Sequence, residues 1–221
     1  MNLAASEIIA RTELAIIDRL KRGLGKMAHD VSSYGGELDG DWQEVVRQLP
    51  GVWVTFEGVT RTERFSLQKR RYVVHGRYVV IVGERNLRDE KSSRLGGPGA
   101  DETGTTRLVT AVRRLLSGQD MDLPIDHLIP GRVRTLFNTK LEKMAASVFA
   151  CEFDTKWLED ALENGDYPLR DAPADHPDAF FMPYDGEVSD PPPDWLRTRL
   201  SYDTSKSASS AEDIVSHESK D

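Results

Sequence analysis

The stretch Tyr72-Val-Val-His-Gly-Arg-Tyr-Val-Val-Ile-Val-Gly83 decides the fold. It is rich in Val, Tyr and Ile, which favour strands over helices. Between Val79 and Val82 the side chains on both faces of such a strand are apolar. This pattern is expected for a central strand that helices or a neighbouring subunit cover on each side. The sequence therefore predicts a central strand over residues 72–83.

A second strand is predicted just before it. Val52, Val54 and Phe56 alternate with Trp53 and Thr55, which is the period of two typical of strands. The two strands are predicted to be long and antiparallel, joined by a charged connection around residues 61–71. Two further strands, over residues 132–138 and 145–154, complete the sheet.

Three helices are predicted, over residues 3–24, 41–49 and 105–117, because apolar residues recur there at spacings of three, four and seven. Pro50-Gly51 ends the second helix. The fold class is α/β of the α+β type, a mixed or mainly antiparallel sheet of about four to five strands with two to three packed helices. The expected core comprises Ile17, Leu20, Trp53, Val54, Val80, Val82, Leu108, Val112, Leu115, Val148 and Phe149.

The composition changes beyond Trp157. Residues 156–221 hold 6 Lys/Arg against 16 Asp/Glu, whereas residues 1–155 hold 23 against 21. A short helix over Leu158–Glu163 is predicted, followed by Pro191-Pro192-Pro193 and an acidic, Ser-rich tail. The sequence thus predicts a domain over residues 1–157 and an irregular extension over residues 158–221, partly disordered or held by a partner.

Catalytic, cofactor-binding and metal-binding residues are not predicted, and the chain is not expected to be an enzyme. The segment 99–106 has the glycine spacing of a phosphate-binding loop, but Thr105 stands where that loop needs Lys, and Asp101 and Glu102 would repel an anion. The five histidines are scattered without metal-ligand spacing. Cys151 lies in an apolar stretch and is interpreted as a core residue. Apolar runs near the roughly 20 residues that span a bilayer are also lacking, so no membrane contact is expected.

Two segments are candidates for interaction with other molecules. A basic cluster flanks the connection between the two long strands, and we interpret it either as a solvated strand edge that resists aggregation or as a contact for DNA or an acidic partner. Residues 86–103 form a charged, Gly-rich connection longer than most loops, which predicts an interface loop. The candidate residues are Arg61, Arg64, Lys69, Arg70 and Arg71 in the cluster, and Arg94, Leu95, Gly96 and Gly97 in the loop.

Several segments, taken in order, carry a resemblance to a known family. They are Ala28-His-Asp-Val31, Ser33-Tyr-Gly-Gly-Glu37, Leu49-Pro-Gly-Val-Trp-Val54, Val80-Ile-Val82, Arg85-Asn-Leu-Arg88, Leu115-Leu-Ser-Gly-Gln-Asp120, Pro124-Ile-Asp126 and Phe149-Ala-Cys-Glu-Phe-Asp-Thr155. Over about residues 3–157 the chain resembles a family of Mu-like prophage proteins whose gene precedes those for tail sheath and tail tube.

This resemblance implies a tail terminator. Such a protein forms a homohexameric ring at the head-proximal end of a contractile tail, stops growth of tube and sheath, and joins the tail to the neck or connector. It would be assembled in the bacterial host cytoplasm and become part of the virion, with possible non-specific contact to passing genomic DNA. A ring of identical subunits needs head-to-tail contacts, which protruding loops and edge strands can supply.

Two other functions remain open from the sequence. One is another structural role in the neck or baseplate. The other is a prophage enzyme that processes nucleic acid, which would need a cluster of metal-binding carboxylates.

Overall fold

A five-stranded mixed sheet organises the computed structural model, which describes residues 7–36, 49–66, 70–86, 104–141, 144–174, 176–190, 197–202 and 211–216. The strands are β1 (Asp30–Ser33), β2 (Gly51–Arg64), β3 (Arg71–Asn86), β4 (Ile129–Leu141) and β5 (Met144–Asp160). Their order in the sheet is β1-β2-β3-β5-β4. β1 runs parallel to β2, and all the other neighbours are antiparallel. The predicted α+β fold is confirmed.

The predicted central strand lies at the centre of the sheet. β3 pairs with β2 along one edge and with β5 along the other. All four residues from Val79 to Val82 are buried, as their apolar pattern on both faces predicted. Val80 and Val82 belong to the apolar cluster on one face of the sheet, and Val79 and Ile81 belong to a separate cluster on the other face. Both faces of the strand are therefore buried.

Two α-helices, α1 (Ile8–Leu24) and α2 (Thr105–Leu116), pack on one face of the sheet. Their apolar stripes meet Val54, Val80 and Val82 in the main core. The Tyr78 hydroxyl donates to the Ile9 carbonyl at 3.0 Å, which ties α1 to the central strand. The contact between the helices includes Leu115, whose backbone carbonyl accepts from Arg19 Nε at 2.6 Å.

Most of the predicted core residues are buried. Leu115 and Phe149 are only partly buried and pack against the cluster, while the neighbouring Leu116 is fully buried. The second apolar cluster, on the sheet face away from α1 and α2, contains Leu49, Trp53, Val79, Ile81, Ala146, Val148 and Ala150.

The helix predicted over Leu158–Glu163 is wrong, because β5 continues through Asp160 and residues 161–163 are not helical. Leu158, Glu159 and Asp160 pair with Val73, Tyr72 and Arg71 of β3. Strand pairing therefore overrides the helix preference of Leu and Glu. The strand β1 was not predicted. Most of the helix predicted over residues 41–49 lies outside the described residues.

The described part of the extension is largely irregular, as predicted. A 3₁₀ helix spans Pro177–Tyr184, and Leu169 forms an isolated bridge with Ser189. Two short strands that were not predicted, β6 (Arg197–Tyr202) and β7 (Ala211–Ser216), pair with each other in antiparallel fashion. Among the described residues, none of the helices has the length and apolar character needed to cross a membrane.

Candidate interaction surface

The basic cluster lies at one end of the sheet. β2 pairs with β3 out to Arg64 and Tyr72, and the Phe65 N–H donates to the Arg71 carbonyl at 2.9 Å. We call residues 64–71, which connect these strands, the hairpin tip. Arg64, Arg70 and Arg71 lie in it and Arg61 lies just before it, while Lys69 is outside the described residues. The structure thus brings together the four described members of the predicted cluster.

Three of these four arginines have acidic partners. Arg61 Nη2 lies 2.5 Å from Glu63, Arg70 Nε lies 3.1 Å from Glu163, and Arg71 Nε lies 2.5 Å from Asp160. Most of these side chains are exposed, while Arg71 is about one third exposed. The positive charge at the tip is therefore weaker than a count of its basic residues indicates, although exposed pairs are easily exchanged.

Two of these ion pairs shift the pKa of one of their members. The hydrogen bond from Arg61 lowers the pKa of Glu63, and the hydrogen bond to Asp160 raises the pKa of Arg71. Both groups therefore stay charged at neutral pH. Arg64, by contrast, is exposed and has no ion pair within the part of the chain that the structure describes.

The other predicted candidate residues, Arg94, Leu95, Gly96 and Gly97, lie outside the described residues. Their loop connects the end of β3 at Asn86 to the start of α2 at Thr105. Its role stays a prediction.

A network of ion pairs on the sheet face away from the helices was not predicted. Arg77 contacts Asp154 at 2.7 Å, Glu152 at 3.2 Å and Glu57 at 3.7 Å. The hydrogen bond to Asp154 raises the pKa of Arg77. Arg132 and Arg134, both exposed, lie 3.5 and 3.6 Å from the buried Glu152. We call this network the charged sheet face. The alternation of Glu152, Asp154 and Lys156 on β5 is a sequence signal from which it could have been predicted.

An apolar groove between the end of β5 and the extension was also missed. Its volume is about 510 Å³. It is lined by Ile8, Pro124, Leu158, Glu159, Asp160, Leu162, Pro177, Asp178, Phe180 and Phe181. We call it the extension groove. The sequence contained only a faint signal, the apolar pairs Leu158/Leu162 and Phe180/Phe181 in an otherwise acidic region.

Among the described residues, no group of three or more His, Cys, Asp or Glu residues is placed to hold a metal ion. Cys151 is fully buried in the main core, as predicted, and burial raises the pKa of its thiol to about 12. A nucleophilic cysteine needs a thiolate near neutral pH, so Cys151 is a packing residue.

Fold and surface together define a small α+β protein whose distinctive described features are a cationic hairpin tip, a charged sheet face and an apolar groove. The chain matches the model of the family described as Bacteriophage Mu, Gp37 over residues 8–158, and it belongs to that family. It is a Mu-like phage protein, and the family indicates a structural role. None of the curated proteins compared with the chain is significantly similar to it.

Proposed function

We propose that the chain is the tail terminator of a Mu-like phage with a contractile tail. It assembles as a ring of six copies on the head-proximal end of the finished tail, ends growth of tube and sheath, and offers a surface to the neck. The family membership supports a structural phage protein. The gene order that the resemblance implies supports the tail. The ring, its partners and its location in the virion are parts of this proposal.

The observation that carries the ring is the position of the hairpin tip. Cations and the large apolar side chain of Phe65, which is 56% exposed, are placed together where a solvated turn would usually carry small polar residues. In a closed ring, each such protruding element repeats around one axis and can contact the next subunit. Repetition also multiplies a modest local charge, so that six tips create a positive surface around the channel.

DNA contact follows from that arrangement. DNA that passes the channel presents phosphates, and arginine side chains on the tip can exchange their acidic partners for them. Such contacts lack base readout, so the DNA can slide. We expect binding without sequence preference and with a steep loss as salt is raised.

The loop over residues 86–103 is proposed as a second contact element, directed to a neighbouring subunit or to the tube. Deleting residues 94–99 should leave a folded subunit that fails to form rings or to end tails at the correct length. Folding is checked by circular dichroism and tail length by electron microscopy. Infective tails of normal length from this deletion would remove the loop from the mechanism.

The proposal as a whole is tested by electron microscopy of the purified chain, alone and mixed with growing tail tubes. We expect closed rings of six, found at one end of the tubes, and a narrow distribution of tube lengths. A baseplate subunit would be found at the opposite end, and a neck protein would bind heads and leave tube length unchanged. Cleavage of DNA that depends on a divalent metal would instead identify the nucleic-acid enzyme.

A further inference from the structure

The extension groove has the character of a docking site. Leu158, Leu162 and Phe181 line it and are 49%, 43% and 39% exposed, respectively. Large apolar side chains gathered around one concave surface usually mark a contact with another chain. The groove combines Ile8 and Pro124 with residues 158–181, so it exists only where the extension lies against the sheet.

The surroundings of the groove are strongly acidic. Residues 159–190 contain ten Asp/Glu and a single Lys/Arg, namely Arg170. The acids in its lining are Glu159, Asp160 and Asp178, and the lining contains no Lys or Arg. Glu159 and Asp178 accept hydrogen bonds from neutral donors, the Trp157 indole at 2.7 Å and the Leu169 N–H at 2.8 Å, whereas Asp160 pairs with Arg71 of its own chain. The groove is thus suited to an apolar side chain that is flanked by cations.

The chain itself carries a segment of that chemistry. Phe65 is exposed on the hairpin tip, directly after Arg64 and a few residues before Lys69, Arg70 and Arg71. Phe65 does not belong to the lining of its own groove. Within one chain, Arg70 and Arg71 already pair with Glu163 and Asp160. Arg64 forms no ion pair among the described residues, so Arg64 and Phe65 are the part of the tip that a second copy can bring to the remaining acids and the apolar lining of the groove.

We propose that the hairpin tip of one copy docks in the extension groove of the next, with Phe65 entering between Leu162 and Phe181. This inference rests on the proposed self-assembly and names the surfaces that make it. A hydrophobic anchor surrounded by charge pairs at the rim is the usual organisation of a protein contact.

The position of the two surfaces determines how the subunits are arranged. Tip and groove lie at the same end of the sheet, because Arg71 pairs with Asp160 and the Ala161 N–H donates to the Arg70 carbonyl at 2.8 Å. When donor and acceptor surfaces lie side by side at one end of a subunit, cyclic repetition gathers these ends around the axis. The contact therefore places the arginines of the tip next to the channel.

The contact is tested by disulfide trapping between full-length chains. A chain with Phe65→Cys is mixed with an isotopically labelled chain with Leu162→Cys and mildly oxidised. The native Cys151 is fully buried and does not compete. We expect the mixed disulfide to form at least tenfold more than in a control mixture of Phe65→Cys with Tyr184→Cys, since Tyr184 is 77% exposed and does not line the groove. Mass spectrometry distinguishes the mixed product from products of like chains.

A second measurement uses the dissociation constant of self-association from analytical ultracentrifugation. Phe65→Asp should raise it at least tenfold, whereas Val59→Asp, at a 50% exposed position on the same hairpin, should leave it unchanged. Circular dichroism verifies that both variants fold. Equal trapping in both mixtures, or equal dissociation constants for both variants, overturns the tip and groove contact.

The two proposals fail in different ways. Closed rings that form without the mixed disulfide overturn this contact and leave the terminator function standing. Mixed disulfides in a species that never closes into a ring support the contact and overturn the ring.

Discussion

At the scale of single residues, Gly76 is a position in the sheet where no side chain fits. It lies on β3 opposite Thr155, and a Cβ added there would overlap the buried ring of Trp157 and lie 3.1 Å from the Phe56 ring. Two aromatic side chains thus occupy the space that any other residue would need. The cluster of Ile8, Val74 and Trp157, which joins the start of α1 to the sheet, depends on this glycine.

Gly76→Ala should therefore lower the free energy of unfolding by about 1–3 kcal/mol, the usual cost of overpacking a core. Urea denaturation measures the change, and Trp fluorescence reports the displaced ring. Gly186→Ala is the control, because a Cβ there meets nothing within 4 Å. Equal stability of the two variants would show that the Trp157 ring moves aside freely.

Asp126 connects the loop after α2 to β5. Its carboxylate lies 3.2 Å from Lys156 Nζ, and its N–H donates to the Lys156 carbonyl at 2.7 Å. The hydrogen bond from Lys156 lowers the pKa of Asp126 below its ordinary value of 3.8. A lowered pKa in the folded state means that the ionised form stabilises the fold. That stabilisation is present above the ordinary pKa and is lost as the pH falls through the lowered value.

Asp126→Asn should consequently destabilise the chain by about 0.2–1 kcal/mol at neutral pH, since both partners are about half exposed. The difference from the original chain should vanish in acid below the lowered pKa. Urea midpoints measured from pH 7 down to pH 2 check this. Asp185→Asn, which removes a carboxylate without an ion pair among the described residues, should show no such trend. A difference that persists unchanged in acid would contradict the role of the charge.

At the scale of elements, the hairpin tip concentrates the chemistry proposed for DNA. Changing Arg64, Lys69 and Arg70 together to Glu should leave the domain folded but reduce the affinity of rings for duplex DNA at least tenfold and impair tail joining or genome ejection. Fluorescence anisotropy at several salt concentrations and infectivity by complementation measure these effects.

The matched control reverses Lys21, Arg22 and Lys26, which are exposed at the end of α1 and in the turn that follows it. It makes the same change in net charge away from the tip. Full infectivity and ordinary ejection with the tip variant would leave the cluster as a solvated strand edge, the other interpretation of its sequence.

The elements differed in how well their sequence patterns predicted them. β2 was predicted from its period of two, and β3 was predicted because burial on both faces imposes a continuous apolar pattern on its centre. β1 escaped prediction since it has only four residues and one buried side chain, Val31. The end of β5 was interpreted as helix because Leu, Glu and Ala favour helices, and its pairing with β3 is a tertiary effect that no local pattern records.

For the candidate surface, too, local features could be predicted from the sequence and long-range contacts could not. The cations of the tip are neighbours in the chain, so their clustering was visible in the sequence. Glu63, the partner of Arg61, is also close in the chain, but the partners of Arg70 and Arg71 were not visible, because Asp160 lies 89 residues from Arg71. The groove depends on contacts between the extension and the sheet, and such long-range contacts have no sequence period. Charge can thus be predicted from composition, whereas its neutralisation requires the fold.

At the scale of the whole molecule, the boundary between domain and extension can be tested by truncation. The family match ends at residue 158, but β5 runs to Asp160 and pairs there with Arg71. A chain ending at residue 160 should unfold in one cooperative transition close in stability to that of the full chain. A chain ending at residue 157 should be less stable, because it loses three paired strand residues and the ion pair of Arg71.

Calorimetry of the two truncated chains and the full chain measures these differences. Loss of cooperative unfolding in the chain ending at residue 160 would show that the extension is part of the folding unit. The predicted division into residues 1–157 and 158–221 would then be wrong.

The order of strands also affects how the chain folds as it is synthesised. β2 and β3 are joined by a short connection and can pair early, but β3 receives its second neighbour only after β5 has been made. Until then the apolar edge around Val79–Val82 has no partner from β5, and exposed strand edges of this kind promote aggregation. Non-local pairing is also intrinsically slow. Ribosomes that pause between β3 and β5 would therefore leave an aggregation-prone intermediate. The yield of folded protein should rise when translation through residues 87–143 is fast or when chaperones are abundant.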